Sequence, residues 1–119
     1  MKITVYEKPT CTTCRKLAIL LKEHGYDYDS VNYFIEPLDR ARLEMLLNKA
    51  GLLPFEVLRK GEKLVKELGL TPETPPNDVI ELILENPSIL QRPIVEIGDK
   101  AVLARPIEKA LELIASAKS

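Results

Sequence analysis

Hydrophobic and polar positions change period several times along this chain, and each change marks an element. Residues 2–6, KITVY, alternate and are β-rich, which predicts a strand. Thr10 then offers an N-cap for a helix over about 11–24, in which Cys14, Leu17, Ala18 and Leu21 recur at the spacing of one helical face. Gly25 ends that helix, and residues 26–34, YDYDSVNYF, read as a second, weaker strand. A strand, a helix and a strand in this order normally pair their strands in parallel through a right-handed crossover.

From about residue 37 to 91 the pattern turns helical, with no convincing strand. Pro37 suits a first helical position, Leu43, Leu46, Leu47 and Ala50 make a stripe, and Gly51 stops it. Residues 54–70 predict two short helices, broken at Gly61 and ended at Gly69. Residues 71–76, TPETPP, form a loop, and Asn77 caps a helix with Val79, Leu82 and Ile83 inward, before Pro87. Residues 93–104 predict a hairpin, because Gly98-Asp99 suits a two-residue turn. Pro106 opens a last helix with Ile107, Ala110, Leu111 and Ile114 on one face. The expectation is a single α/β domain over residues 1–119, ordered βαβ, helical insertion at about 37–91, then ββα, with a mixed sheet.

Composition narrows the function. A chain of 119 residues, 45% hydrophobic and 29% charged, has room for one ordinary core. The formal charge of -1 offers no basic field for nucleic acid, and no apolar run reaches membrane-spanning length. The opening MKITVYEKP has no signal-peptide pattern, so the expected location is cytoplasmic, with thiols normally reduced.

Both cysteines fall in PTCTTC, as Cys11 and Cys14. A C-x-x-C that follows a strand and opens a helix inside a βαβ unit is a thioredoxin-like arrangement. The first N–H groups of a helix are unpaired and its dipole is positive there, so a thiolate at Cys11 is stabilised. Cys14 lies one turn further, on the apolar face, where it is a resolving or redox-switch thiol or simply a small core residue. A structural zinc needs four ligands, and the chain has no second C-x-x-C and only one histidine, His24. No bound metal is therefore expected.

Six arginines divide into two groups. Arg15, Arg40 and Arg42 sit among polar helical neighbours and read as solvated. Arg59 ends the short helix in VLRKG, whereas Arg92 and Arg105 each precede a proline, in QRPIV and LARPI, and are held extended by it. A thioredoxin-like fold implies that Pro93, at the start of the third strand, is cis and faces the cysteine loop, so Arg92 points toward Cys11. With a helix N-terminus and a thiolate, such arginines suit a small tetrahedral oxyanion, whose oxygens guanidinium forks bind in pairs.

YEKPTCTTCRK, LRK followed by LGL, ILQRPIV and LARPIEKALELI together make the sequence resemble the arsenate reductase family of the glutaredoxin-linked type along nearly its whole length. The resemblance implies that Cys11, Arg59, Arg92 and Arg105 form the site. It also implies that the Cys11 thiolate attacks arsenate, that glutathione with glutaredoxin reduces the adduct to release arsenite, and that no bound metal or organic cofactor is needed beside that thiol reductant. Two positions depart from the family pattern: Glu7 stands where well-studied members have a histidine, and Cys14 has no counterpart in the single-cysteine reductases. The C-x-x-C is similar to that of the Spx regulators, relatives that bind RNA polymerase and use the pair as an oxidation switch. Spx-type chains usually lack an arginine at the place of Arg105. A general thiol–disulfide oxidoreductase is the third reading, and it has no need of three arginines.

Overall fold

A computed structural model describes residues 1–118; Ser119 lies outside the described residues. The elements run β1 (Ile3–Glu7), α1 (Thr12–Glu23), β2 (Asp29–Asn32), α2 (Arg40–Ala50), a 3-10 turn (Pro54–Val57), α3 (Lys63–Glu67), α4 (Pro76–Glu85), a second 3-10 turn (Pro87–Ile89), β3 (Ile94–Ile97), β4 (Lys100–Leu103) and α5 (Lys109–Lys118). The four strands form one mixed sheet in the order β2-β1-β3-β4. β1 pairs with β2 in parallel, with Glu7 opposite Asn32, and with β3 antiparallel, with Val5 opposite Val95. β3 and β4 close a hairpin in which Ile97 pairs with Lys100, so Gly98-Asp99 is its two-residue turn; Gly98 sits at φ 59, a left-handed conformation that glycine adopts without strain. This is the α/β class with the mixed sheet that the pattern predicts.

Strand alternation sorts the core into two layers. Ile3 and Val5 of β1 face Leu17 and Leu21 of α1 and Ala110 and Ile114 of α5. Tyr6 of β1 turns to the opposite face with Ile94, against Leu43, Leu46 and Leu47 of α2 and Val79, Ile80 and Ile83 of α4. Each fully buried leucine or isoleucine here stabilises the fold by about 1.5–3 kcal/mol relative to an exposed one. The two layers therefore cover β1 on both faces.

Several boundaries differ from the pattern, each for a local reason. Cys11, not Thr10, is the N-cap of α1: its φ/ψ of -76/125 is extended and its sulfur accepts the Cys14 N–H. β2 contracts to four residues, since its partner β1 offers only Thr4–Glu7 for pairing. α2 begins after Asp39, whose carboxylate accepts the Arg42 N–H at 2.7 Å, a better cap than anything Pro37 offers. α4 begins at Pro76 instead of behind an Asn77 cap; the Asn77 side chain instead accepts from Arg40. Ile80 is buried there, whereas Leu82 is only half-buried. α5 starts at Lys109, three residues beyond Pro106. The first of the two short helices is a single 3-10 turn, because Leu58 leaves it to form a bridge with Leu90.

Candidate active site around Cys11

The chain reverses tightly after β1, with the Cys11 N–H donating to the Lys8 carbonyl at 2.9 Å. The turn delivers Cys11 to the cap position of α1, where its Sγ accepts the Cys14 backbone N–H at 3.4 Å and its carbonyl accepts from Arg15 N at 3.0 Å. Partial burial alone pushes this thiol up. The Cys14 side chain and N–H, the Arg92 charge and the Thr13 N–H outweigh that, and the net direction is down. Cys14 is fully buried, and burial, with the Cys11 and Glu7 charges beside it, pushes it up to about 12 although the Lys8 backbone opposes this. Two thiols one turn apart thus have opposite characters. Iodoacetamide will modify Cys11 selectively at neutral pH, with a midpoint below the ordinary thiol value of about 8.5. Mass mapping of the two cysteines over pH 5–9 checks this, and equal rates throughout would overturn it.

The arginines converge through backbone connections. Arg92 follows Leu90-Gln91, which is stitched to Val57-Leu58-Arg59 by Gln91 N to the Val57 carbonyl at 2.8 Å, Arg59 N to the Ile89 carbonyl at 2.7 Å and the Leu58–Leu90 bridge. This stitching brings Arg59 beside the approach to β3, a long-range pairing that the helical pattern of residues 54–70 conceals. The Arg92–Pro93 and Arg105–Pro106 peptide bonds are both cis. Arg105 Nη1 donates to the Arg92 carbonyl at 2.8 Å, and Arg59 and Arg105 line one shallow cavity with Lys60, Glu62 and Gln91. Arg59 is held by Glu62 at 3.6 Å and by the Ser88 carbonyl at 3.5 Å.

Arg92 is the innermost of the set, 7% exposed. Its guanidinium lies 5.4 Å from the Phe34 ring centroid, and Nη1 donates to the Leu90 carbonyl at 3.3 Å. Among the described residues, its Nε is the one fully buried side-chain nitrogen or oxygen without a hydrogen-bond partner. A buried charged donor left unmatched is costly unless a ligand satisfies it. Lys8 stands over the same Phe34 ring at 4.5 Å, adding a second cation beside the cysteine loop. Lys8 lies within YEKPTCTTCRK but carries no role in the sequence reading, and no motif marks Phe34; the aromatic at the end of the expected second strand is its one available signal.

Arg15 is exposed, as its surroundings in the sequence suggest. Arg40 and Arg42 do more than face solvent. Arg40 ties α2 to α4 through Glu81 and Asn77, and Arg42 Nη1 donates to Tyr6 Oη at 2.9 Å. Tyr6 donates in turn to Glu96 at 2.7 Å, and Lys49 also pairs with Glu96. The side-chain partners of both arginines belong to α2, α4, β1 and β3, and Cys11 is not among them. Glu7 is the departure that matters most: it is buried, 6% exposed, and accepts from Ser30 Oγ at 2.8 Å. Burial pushes its carboxyl up, and the Ser30 bond recovers part of that.

A mixed sheet with a low-titrating thiol at the N-terminus of its first helix defines a thioredoxin-like thiol protein. The chain matches the ArsC family over residues 6–113 and belongs to it. An arsenate reductase of Neisseria meningitidis serogroup A is 35% identical over 109 residues, covering 90% of this chain and 93% of that one. The global transcriptional regulator Spx of Enterococcus faecalis is 35% identical over 94 residues, 78% of this chain and 71% of its own. The solved structure of an arsenate reductase from Vibrio cholerae superposes with a TM-score of 0.88 at 28% identity, covering 94% of this chain and 97% of that one.

Proposed function

We propose that this protein is a cytoplasmic oxidoreductase that reduces a small tetrahedral oxyanion, arsenate to arsenite, with Cys11 as nucleophile. The observation that carries this is Arg92: a buried guanidinium with an unmatched Nε–H, whose charge helps hold the neighbouring Cys11 thiol down. Arg92, with Arg59 and Arg105 nearby, binds the anion and the charge that develops on it, and the α1 N-terminus adds N–H donors. The Cys11 thiolate attacks arsenic and a hydroxide leaves as water, forming the sulfur–arsenic bond. A glutathione thiolate then attacks the Cys11 sulfur, and the sulfur–arsenic electron pair passes to arsenic. Arsenic falls from +5 to +3 while a mixed disulfide forms on Cys11, which glutaredoxin resolves by thiol exchange. No bound metal or organic cofactor takes part in this scheme. The arsenate reductases among its relatives support the substrate.

The purified protein, supplied with arsenate, glutathione, glutaredoxin, glutathione reductase and NADPH, will oxidise NADPH and release arsenite. Absence of arsenate-dependent NADPH oxidation above the protein-free rate would overturn the proposal. The C-x-x-C and the Spx relative support a second reading, a redox-switched partner of RNA polymerase. Oxidation-dependent binding to the polymerase without arsenate turnover would favour that reading instead. Turnover of small disulfides without arsenate turnover would favour a general thiol–disulfide oxidoreductase.

A further inference from the structure

Three segments leave the sheet together at the end of β1 that leads into the cysteine loop. β1 and β2 run parallel with Glu7 opposite Asn32, so Lys8 and Tyr33-Phe34 are the next residues on neighbouring strands. β1 and β3 run antiparallel with Tyr6 opposite Ile94, and that register, continued two residues further, sets Lys8 level with Arg92. The side chains meet accordingly. The Phe34 ring centroid lies 5.4 Å from the Arg92 guanidinium and 4.5 Å from the Lys8 ammonium. The ring is itself fixed, since the Phe34 N–H donates to Asn32 Oδ1 at 3.0 Å and the ring packs on that of Tyr33 at 5.0 Å. Tyr33 Oη donates to the Leu90 carbonyl at 3.3 Å, the same oxygen that takes Arg92 Nη1.

Two cations thus share one aromatic ring, and among the described residues neither pairs with a carboxylate. Arg92 is buried and Lys8 half-buried, so solvent screens their mutual repulsion less than it does at an open surface. The ring quadrupole offsets part of that repulsion through cation–π attraction, and an anion offsets more. The unmatched Nε–H of Arg92 calls for the same remedy, an acceptor that carries negative charge.

We infer that Lys8 is a further anion-binding residue of the Cys11 site, and that Phe34 is the positioning residue that holds Lys8 and Arg92 as one cationic pair. The inference deepens the oxyanion reading of this site and rests on it. Lys8 belongs to the turn that carries the nucleophile, its carbonyl accepting the Cys11 N–H at 2.9 Å. The entering oxyanion meets a planar guanidinium, which takes its oxygens in pairs, and an ammonium on a long stem, which adjusts to its position. Phe34 touches neither the thiol nor the anion and acts through the two cations.

Sulfate is the probe for this arrangement, because it is a tetrahedral dianion that thiols do not reduce, and its binding is independent of arsenate turnover. At constant ionic strength and neutral pH, sulfate will protect Cys11 of the unmodified protein from iodoacetamide. The concentration giving half-protection, each protein referred to its own sulfate-free rate, measures the affinity. Lys8→Met keeps the stem and removes the charge, and half-protection will need about tenfold more sulfate, the low end for a charge-assisted hydrogen bond. Phe34→Leu keeps an apolar side chain without the ring and will need about fivefold more, the scale of a cation–π contact. Phe34→Tyr keeps the ring and will stay within about twofold of the unmodified protein. Because Phe34 acts in part through Lys8, the variant carrying both Lys8→Met and Phe34→Leu will lose clearly less than the roughly fiftyfold product.

No protection in the unmodified protein, or half-protection unchanged in Lys8→Met, would overturn the proposal by showing that Lys8 meets no anion. Full multiplication in the double variant, or Phe34→Tyr weakening with Phe34→Leu, would overturn it by showing that the ring does not position the cations. The arsenate reading fails separately, by absence of arsenate-dependent NADPH oxidation, whatever the sulfate data show.

Discussion

Arg92→Ala will lower arsenate turnover about tenfold to a hundredfold, with Arg59→Ala and Arg105→Ala following. A charge-assisted hydrogen bond to the anion contributes on the order of 1.5–3 kcal/mol, and each 1.4 kcal/mol is about tenfold in rate. Arg92 heads the order because it alone of the three is buried, with an Nε–H that no protein group satisfies. Its loss also removes a positive charge that helps to lower Cys11, so the alkylation midpoint of Cys11 will rise in Arg92→Ala. Arg105→Ala acts in two ways, losing a cation at the rim and the bond that fixes the Arg92 carbonyl. Arg59→Ala is expected to be the mildest, because Glu62 already draws on its charge. The controls are Arg40→Ala and Arg42→Ala, whose side chains are engaged with Glu44, Glu81 and Asn77 and with Tyr6 and Glu96. Arg40→Ala will lower the melting temperature, since Arg40 ties α2 to α4, and will leave turnover per folded molecule near its original value. Steady-state kinetics on all five variants, with thermal unfolding beside them, separates the two effects. Five equal losses of turnover would mean that the three arginines share no anion.

What the chain makes legible is what its periodicity encodes locally. The alternation of KITVY, the i, i+3, i+4, i+7 run from Cys14 to Leu21 and the Gly98-Asp99 turn each specify an element from neighbouring residues alone, and β1, α1 and the β3–β4 hairpin stand where those signals lie. Boundaries slip where two local signals compete. Thr10 has the better capping side chain, yet the turn closed by Cys11 N and the Lys8 carbonyl leaves Cys11 at the cap position, and sulfur substitutes for oxygen as acceptor. That slip has chemical weight, since it makes the Cys14 N–H a direct partner of the nucleophile.

Features set by pairing between distant segments leave no comparable trace. Arg59 reads as the end of a helix, because nothing near it announces that Leu58 bridges Leu90. The Arg105–Pro106 bond shows the same limit: Pro93 has a counterpart in the expected fold and Pro106 has none, yet both bonds are cis. Glu7 is the clearest case. A carboxylate in a strand normally marks a solvent-facing position, and here alternation alone places it inward with Ile3 and Val5. Its bond to Ser30 follows only once β2 is laid beside β1.

Cys11→Ser will abolish arsenate reduction, whereas Cys14→Ser will keep glutathione-dependent turnover within about threefold, under 1 kcal/mol in barrier terms. Serine at position 11 still caps α1, so the fold survives, yet it offers no thiolate to attack arsenic. Serine at position 14 retains the backbone N–H that the Cys11 sulfur accepts, and its hydroxyl can replace the side-chain bond that helps to lower Cys11. Burying that hydroxyl among apolar neighbours will cost some stability, visible as a lower melting temperature, without touching the chemical step. Peroxide treatment distinguishes the two roles further. The unmodified protein will lose two daltons and recover them with dithiothreitol. Cys14→Ser cannot close the bridge, and its Cys11 will proceed to the irreversible sulfinic acid, so its arsenate activity will decay under peroxide where that of the unmodified protein returns on reduction. Activity assays before oxidation, after it and after dithiothreitol give three readings for each variant. Loss of basal turnover in Cys14→Ser would make Cys14 an obligate resolving thiol and end the single-thiol mechanism. Equal recovery of both proteins after peroxide would mean that the C-x-x-C confers no protection on Cys11.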